Sequence, residues 1–286
     1  MAGDETVQGG GTVLSGGTVR SGPGVKIDIP SVPNLRDIGG YAVAGGGRVR
    51  MGQLYRSVDL SHLHGDDVAA LAGLGIHTVF DLRTKDERLA QPDVLPPGAD
   101  AVVCDVLAGD KQAAPAQLFD SLVDPAATEK MLGAGKATAL FEEGYRLIVG
   151  LPSALTAYRA FFEAITKDEC RPALFHCTTG KDRTGWAAAM TLLLLGVSED
   201  DVFHDYLLTN RDLLPALKPL YDKFEAAGGD PHLLDPVMGV ERVYLQTALD
   251  ALHAQYGSVE SYFSEGLGID AAGQDALRRA LIEPGM

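Results

Sequence analysis

The feature that most constrains this chain is a strand-to-helix junction built around one cysteine. Pro172-Ala173-Leu174-Phe175 is a short apolar run of the kind that parallel sheets bury on both faces. Thr184 to Leu195 is rich in helix-forming residues and is stopped by Gly196. The polar stretch between them, His176-Cys177-Thr178-Thr179-Gly180-Lys181-Asp182-Arg183, has room only for a tight turn from strand into helix. The same alternation recurs along the chain. Strands are expected at Gln53-Leu54-Tyr55-Arg56, Ile76 to Leu82 and Ala101 to Val106, the last after a Pro-Pro-Gly turn at 96–98. Helices are expected at Asp66 to Leu74, Ser153 to Lys167, and from the capping-box-like Ser198-Glu199-Asp200-Asp201 through Asn210. Strands alternating with helices imply an α/β fold with a central, mainly parallel sheet flanked by helices. Such sheets bind ligands at the carboxyl ends of their strands, where the loops at Asp81-Leu82-Arg83 and Cys177 both emerge.

That placement gives Cys177 a chemistry. A free thiol has a pKa of about 8.5, and a helix N-terminus or nearby cations lower it to about 3.5–7.5, which makes a nucleophilic thiolate. Loop amides at Thr178, Thr179, Gly180 and Lys181 can form a concave nest for an anion, with Gly180 supplying the turn. Arg183 offers a planar donor fork that matches two phosphate oxygens. Thr184 is expected to hydrogen-bond the sulfur, and His176 and Gly185 complete the candidate anion-binding stretch. Thiolate, nest and fork together suit phosphoryl transfer through a covalent cysteinyl intermediate.

Composition narrows the alternatives. A net charge of −15 argues against capture of nucleic acid or of an anionic membrane surface. No apolar run is long enough to span a bilayer, so stable membrane insertion is not expected. Three scattered cysteines (Cys104, Cys170 and Cys177) do not make a disulfide scaffold and suit a reducing compartment such as the cytoplasm, with export by an unusual route left open. His62 and His64 lack a third ligand nearby in sequence, and no metal or other cofactor is expected. Residues 1–26, rich in Gly, Ser and Thr, read as a flexible tail, and 27–286 as the folded catalytic unit. Residues 107–150 read as helical decoration. Leu213, Leu214, Leu217, Leu220, Tyr221 and Phe224 form a helical stripe within 211–236.

His-Cys-x5-Arg-Thr-Gly at 176–185 resembles the loop of protein tyrosine and dual-specificity phosphatases, and its Gly-Lys-Asp-Arg form is similar to the bacterial atypical group. Asn34-Leu35-Arg36-Asp37-Ile38-Gly39-Gly40, Leu54-Tyr55-Arg56-Ser57, Phe80-Asp81-Leu82-Arg83, Asp205-Tyr206-Leu207 and the region of Tyr256-Gly257-Ser258 extend the likeness over most of residues 30–270. The resemblance implies a single protein-tyrosine-phosphatase-like α/β domain with helical lid-like insertions and no metal. It implies a phosphorylated protein or a phosphoinositide as substrate, Lys181 as a second phosphate contact, and 211–236 as a lid.

The leaving oxygen needs a proton donor. Two aspartates compete for this role: Asp182 within the loop, which the resemblance favours, and Asp81 at a strand end facing the same cleft. The one that is not the acid is expected to position Arg183. Arg36 and Arg56 either line the cleft or form buried ion pairs that hold loops. A sulfurtransferase or arsenate reductase would use a similar thiolate loop, and a non-catalytic phospho-ligand module would descend from it. The first two lack their usual loop length or extra redox cysteines here, and the third would have lost Cys177 or Arg183.

Overall fold

Alternation of side chains along the strands divides the interior into two apolar layers. In the computed structural model, which describes residues 22–109 and 124–285, a five-stranded sheet is formed by β1 (Arg36–Asp37), β3 (Leu54–Ser57), β4 (Thr78–Asp81), β5 (Asp100–Val103) and β6 (Ala173–His176). Its order is β1-β3-β6-β4-β5, with β1 antiparallel to β3 and the other pairs parallel. Tyr55, Val79 and Leu174 face a smaller core with Ile27, Ile29, Leu35 and Leu71, the last from α1 (Asp66–Ala72). Leu54, Phe80, Ala173 and Phe175 point the other way into the main core. That layer is closed by α5 (Pro152–Ala164), α6 (Arg183–Leu194) and α9 (Arg242–Tyr256). Further elements include β2 (Arg48–Val49), paired with β7 (Ile282–Glu283), and the helices α2 (Lys85–Ala90), α3 (Pro125–Leu132), α4 (Lys136–Gly150), α7 (Glu199–Ala226), α8 (Asp235–Met238) and α10 (Ala271–Leu281).

The expected α/β architecture is therefore present. Register makes it useful: Ser57, His176, Asp81 and Val103 lie side by side, so β3, β6, β4 and β5 end together at one edge. The loop after β6 leaves from the middle of that edge. Cys104 and Cys177 each follow these aligned ends with β4 between them. Two strand spacings, about 9–10 Å, exceed the ~7 Å within which a disulfide can form.

The helix begun at Ser198 does not end at Asn210. The Ser198 hydroxyl accepts from the Asp201 amide, and α7 then runs on to Ala226 through Pro215 and Pro219. An interior proline costs about 3 kcal/mol. The apolar stripe offsets that cost, because Phe224 and its neighbours bury against Leu132, Ala137, Leu234, Val237 and Met238. Residues 1–21, most of the expected tail, and 110–123, part of the expected insertion 107–150, lie outside the described residues. Among the described residues no helix is long and apolar enough to cross a membrane.

Phe161 is the contact that seats α5 on the sheet. It is fully buried, with ring centroids 5.2 Å from Phe80 on β4 and 5.1 Å from Phe175 on β6. Phe161→Ala should lower unfolding free energy by about 3–5 kcal/mol in urea titration, through lost burial and the cavity left behind.

Candidate active site

β6 ends at His176 and α6 begins at Arg183, so residues 177–182 form the turn at the sheet's carboxyl edge. Gly180 sits at φ +66°, and a Cβ there would lie 2.1 Å from the Ser57 carbonyl oxygen. Only glycine lets the turn pack this closely on the end of β3. The loop's carbonyls are fastened from outside. Arg56 Nη2 donates to Gly180 O at 2.8 Å, Asn34 Nδ2 to Thr179 O and Gly180 O at 3.2 Å each, and the Asp59 amide to Thr178 O at 3.1 Å. Among the described residues, no protein group accepts from the amides of Thr178 to Asp182. Cys177, 1% exposed, thus lies at the base of a ring of unspent donors facing the start of α6.

Arg56 and its neighbour Arg36 do not line the cleft; they are the buried struts behind it. Asp205 on α7 receives Arg36 Nε at 3.0 Å and Arg56 Nη1 at 2.9 Å, and Arg36 Nη1 donates to Asn34 Oδ1 at 2.6 Å. Burial alone would raise the Asp205 carboxyl, but the charges of Arg36 and Arg56 pull it down. Gly185 also serves packing: a Cβ there would stand 3.1 Å from the Tyr206 ring. Thr184 Oγ1 is buried and hydrogen-bonds no group among the described residues.

The clamp arginine is positioned by a residue that the sequence reading passed over. Glu87 accepts from Arg183 Nη1 at 2.8 Å and Nη2 at 2.7 Å, and also from Thr178 Oγ1 at 2.6 Å. It closes a capping box with Thr84 at the start of α2, so the helix terminus and the clamp share one carboxylate. Burial would raise Glu87, yet the hydrogen bonds and charge of Arg183, with Thr178, hold it at about 2. The pattern Thr84-x-x-Glu87, directly after the Asp81-Leu82-Arg83 loop, was the signal available in the sequence.

Neither aspartate holds Arg183. Asp81, at the end of β4, commits both oxygens to Arg83: Nε to Oδ1 at 2.9 Å and Nη2 to Oδ2 at 2.7 Å. The Arg83 amide also donates to Asp81 Oδ1 at 2.9 Å, so the turn at the end of β4 brings the Arg83 side chain onto Asp81 first. His176 likewise turns away from the anion nest. Its Nε2 lies 3.2 Å from Asp93 Oδ2 and its Nδ1 3.0 Å from the Cys177 carbonyl oxygen. Burial lowers the His176 pKa, and the bond and charge of Asp93 outweigh it, leaving the group raised. Asp93 in turn is held at about 2, against burial, by His176 and Arg83. Asp81, Asp93 and His176 bring ligand atoms within 4.8 Å of one another, but Arg83 bonds both carboxylates at 2.7 Å and already supplies the cation.

Asp182 and Lys181 face the helical side of the cleft. Lys181 Nζ donates to Asp182 Oδ1 at 2.8 Å and sits 4.0 Å over the Phe141 ring of α4. Asp182 Oδ1 also accepts from Tyr145 Oη at 3.0 Å, and the Asp182 side chain remains 27% exposed.

A family model described as the tyrosine phosphatase family matches residues 27–283. The chain belongs to the tyrosine phosphatase family. A Mycobacterium tuberculosis relative, the triple specificity protein phosphatase PtpB, is 30% identical over 89% of this chain and 98% of its own length. A Cupriavidus necator relative, whose name places it among tyrosine-protein phosphatases, is 30% identical over 85% of this chain and 84% of its own. A tyrosine-protein phosphatase of Nostoc commune is 31% identical over 72% and 67%. The protein is thus a cysteine-dependent phosphatase of the protein-tyrosine and dual-specificity type, which removes the sulfurtransferase, arsenate reductase and binding-module alternatives.

In this phosphatase a carboxyl at about 2 instead of its ordinary 4.5 contributes on the order of 3 kcal/mol at neutral pH. That contribution is complete above pH about 4.5 and disappears as pH falls through about 2. Glu87→Gln should therefore destabilise the fold at pH 7, with the gap to wild type closing toward pH 2.5 in urea titrations. It should also lower kcat by about 10²-fold as the Arg183 fork loses its alignment.

Proposed function

We propose that this phosphatase hydrolyses phosphate monoesters on proteins through Cys177. The Cys177 sulfur attacks phosphorus while the ester P–O bond breaks, and Asp182 gives its proton to the departing oxygen. The loop amides of Thr178 to Asp182 and the Arg183 fork hold the non-bridging oxygens. Water then cleaves the S–P bond, Asp182 takes up its proton, and inorganic phosphate leaves. One observation carries this reading: a buried cysteine below a ring of unspent amides, with an arginine fixed at two points by Glu87. Asp182 is preferred as the acid because Asp81 is spent on Arg83 while Asp182 keeps exposed surface. Thr184, whose buried hydroxyl has no partner among the described residues, is the group proposed to stabilise the departing thiolate. Free thiols at Cys104, Cys170 and Cys177 suit a cytoplasmic setting.

Phosphoinositides are the second proposed substrate class. Lys181 supports it as a cation in the loop that leads to the Arg183 clamp. The distal half of α7 with α3 and α4 is the proposed cover of the cleft, supported by the contact of Phe141 with Lys181.

Cys177→Ser should abolish turnover of an aryl phosphate in the presence or absence of chelator, with vanadate blocking the wild type; retained turnover in the serine variant would sink the mechanism. Lys181→Met keeps the apolar contact with Phe141 and removes the charge. The ratio of phosphoinositide to phosphotyrosine kcat/KM should then fall by about 10- to 100-fold, the worth of one charge-assisted contact. An unchanged ratio would remove phosphoinositides from the proposal.

A further inference from the structure

Asp182 occupies the N-cap position of α6 without capping it, because its side chain is engaged elsewhere. Oδ1 accepts from Lys181 Nζ and Tyr145 Oη, and Tyr145 Oη lies 2.7 Å from Tyr206 Oη. A phenol has one hydrogen. Tyr145 spends its own on Asp182, so Tyr206 must donate to Tyr145. The result is a hydroxyl relay from α7 through α4 to the loop. Core packing holds both hydroxyls in place: Tyr145 and Tyr206 are 2% and 1% exposed, their rings meet edge to face at 6.3 Å, and Tyr145 also packs at 5.8 Å on Tyr244. Burial, with the Asp182 charge adding to it, pushes both hydroxyls well above the usual tyrosine range, so both remain donors at any working pH. The other ionisable groups facing Asp182 are Lys181 and Arg183 on its own segment, Tyr158 on α5 and Tyr244 on α9.

We propose that Tyr145, backed by Tyr206, is a positioning residue for proton donation by Asp182. It occupies Oδ1, so the transferable proton resides on Oδ2, which no donor meets among the described residues. It also fixes the carboxyl plane against rotation. The inference rests on the reading of Asp182 as the general acid and adds what that reading lacks, the group that aims it. It gives α4 a part in the chemistry, although α4 contributes no residue to the anion nest.

The test is a set of pH–rate profiles on the full chain with phenyl phosphate, whose leaving group needs protonation, and p-nitrophenyl phosphate, whose leaving group needs it less. Asp182→Asn should lose the basic limb. Tyr145→Phe keeps the ring and removes the donor that favours the carboxylate, so Asp182 should titrate higher. Its basic limb should move up by roughly half to one pH unit, with the acidic limb in place. Turnover of phenyl phosphate should fall about threefold to tenfold more than that of p-nitrophenyl phosphate. Tyr206→Phe should shift the limb in the same direction by less. A basic limb unmoved in Tyr145→Phe but lost in Asp182→Asn overturns the positioning role and leaves the acid intact. A basic limb that survives in Asp182→Asn overturns the acid assignment and the positioning role with it.

Discussion

A loop that keeps its amide donors free for an anion cannot be held by those amides. Everything else it owns must do the holding. In this protein the carbonyls of Thr178, Thr179 and Gly180 are taken by Asp59, Asn34 and Arg56, and Gly180 is pressed on β3 so closely that no side chain fits. Those anchors need anchoring in turn. Arg56 and Arg36 are buried cations that Asp205 neutralises, and Asp205 comes from α7, far along the chain. Removing one member of such a group leaves an uncompensated charge in low dielectric, which costs several kcal/mol. The geometry of the nest is thus tied to the docking of α7 on the sheet.

Charge is handled locally in a chain with net charge −15. Each of these buried arginines has a carboxylate partner: Arg36 and Arg56 share Asp205, Arg83 has Asp81 and Asp93, and Arg183 has Glu87. The pairing with Glu87 orients the fork of Arg183 without exhausting its five hydrogens. His176, paired with Asp93, precedes Cys177 and its Nδ1 lies 3.0 Å from the Cys177 carbonyl oxygen.

Local pattern made much of the fold legible. The apolar runs around Leu54, Val79 and Leu174 mark strands, and Ser198 marks the start of α7. Cys177 and Arg183 stand on a local strand–turn–helix unit, so their spacing alone brings them to one loop. Pairings between distant segments were not legible. Glu87 reaches Arg183 only because the start of α2 lies against the loop that follows β6. Asp81 was assigned a place at the cleft from its strand end, and its oxygens went to Arg83 instead. Gly185 and His176, grouped with the anion-binding residues by adjacency, face Tyr206 and Asp93. The run of α7 past Asn210 depended on the satellite core it covers, which outweighs Pro215 and Pro219.

The sequence by itself determined the sheet, the cysteine loop and the spacing that brings Cys177 and Arg183 into it. These depend on short-range periodicity and on contacts within a single turn. Only the tertiary structure decided which carboxylate pairs with Arg183, which aspartate is left with exposed surface, and which tyrosine hydrogen-bonds it. Those choices depend on buried side chains from segments far apart in sequence, and burial makes their few-ångström pairings strong enough to matter.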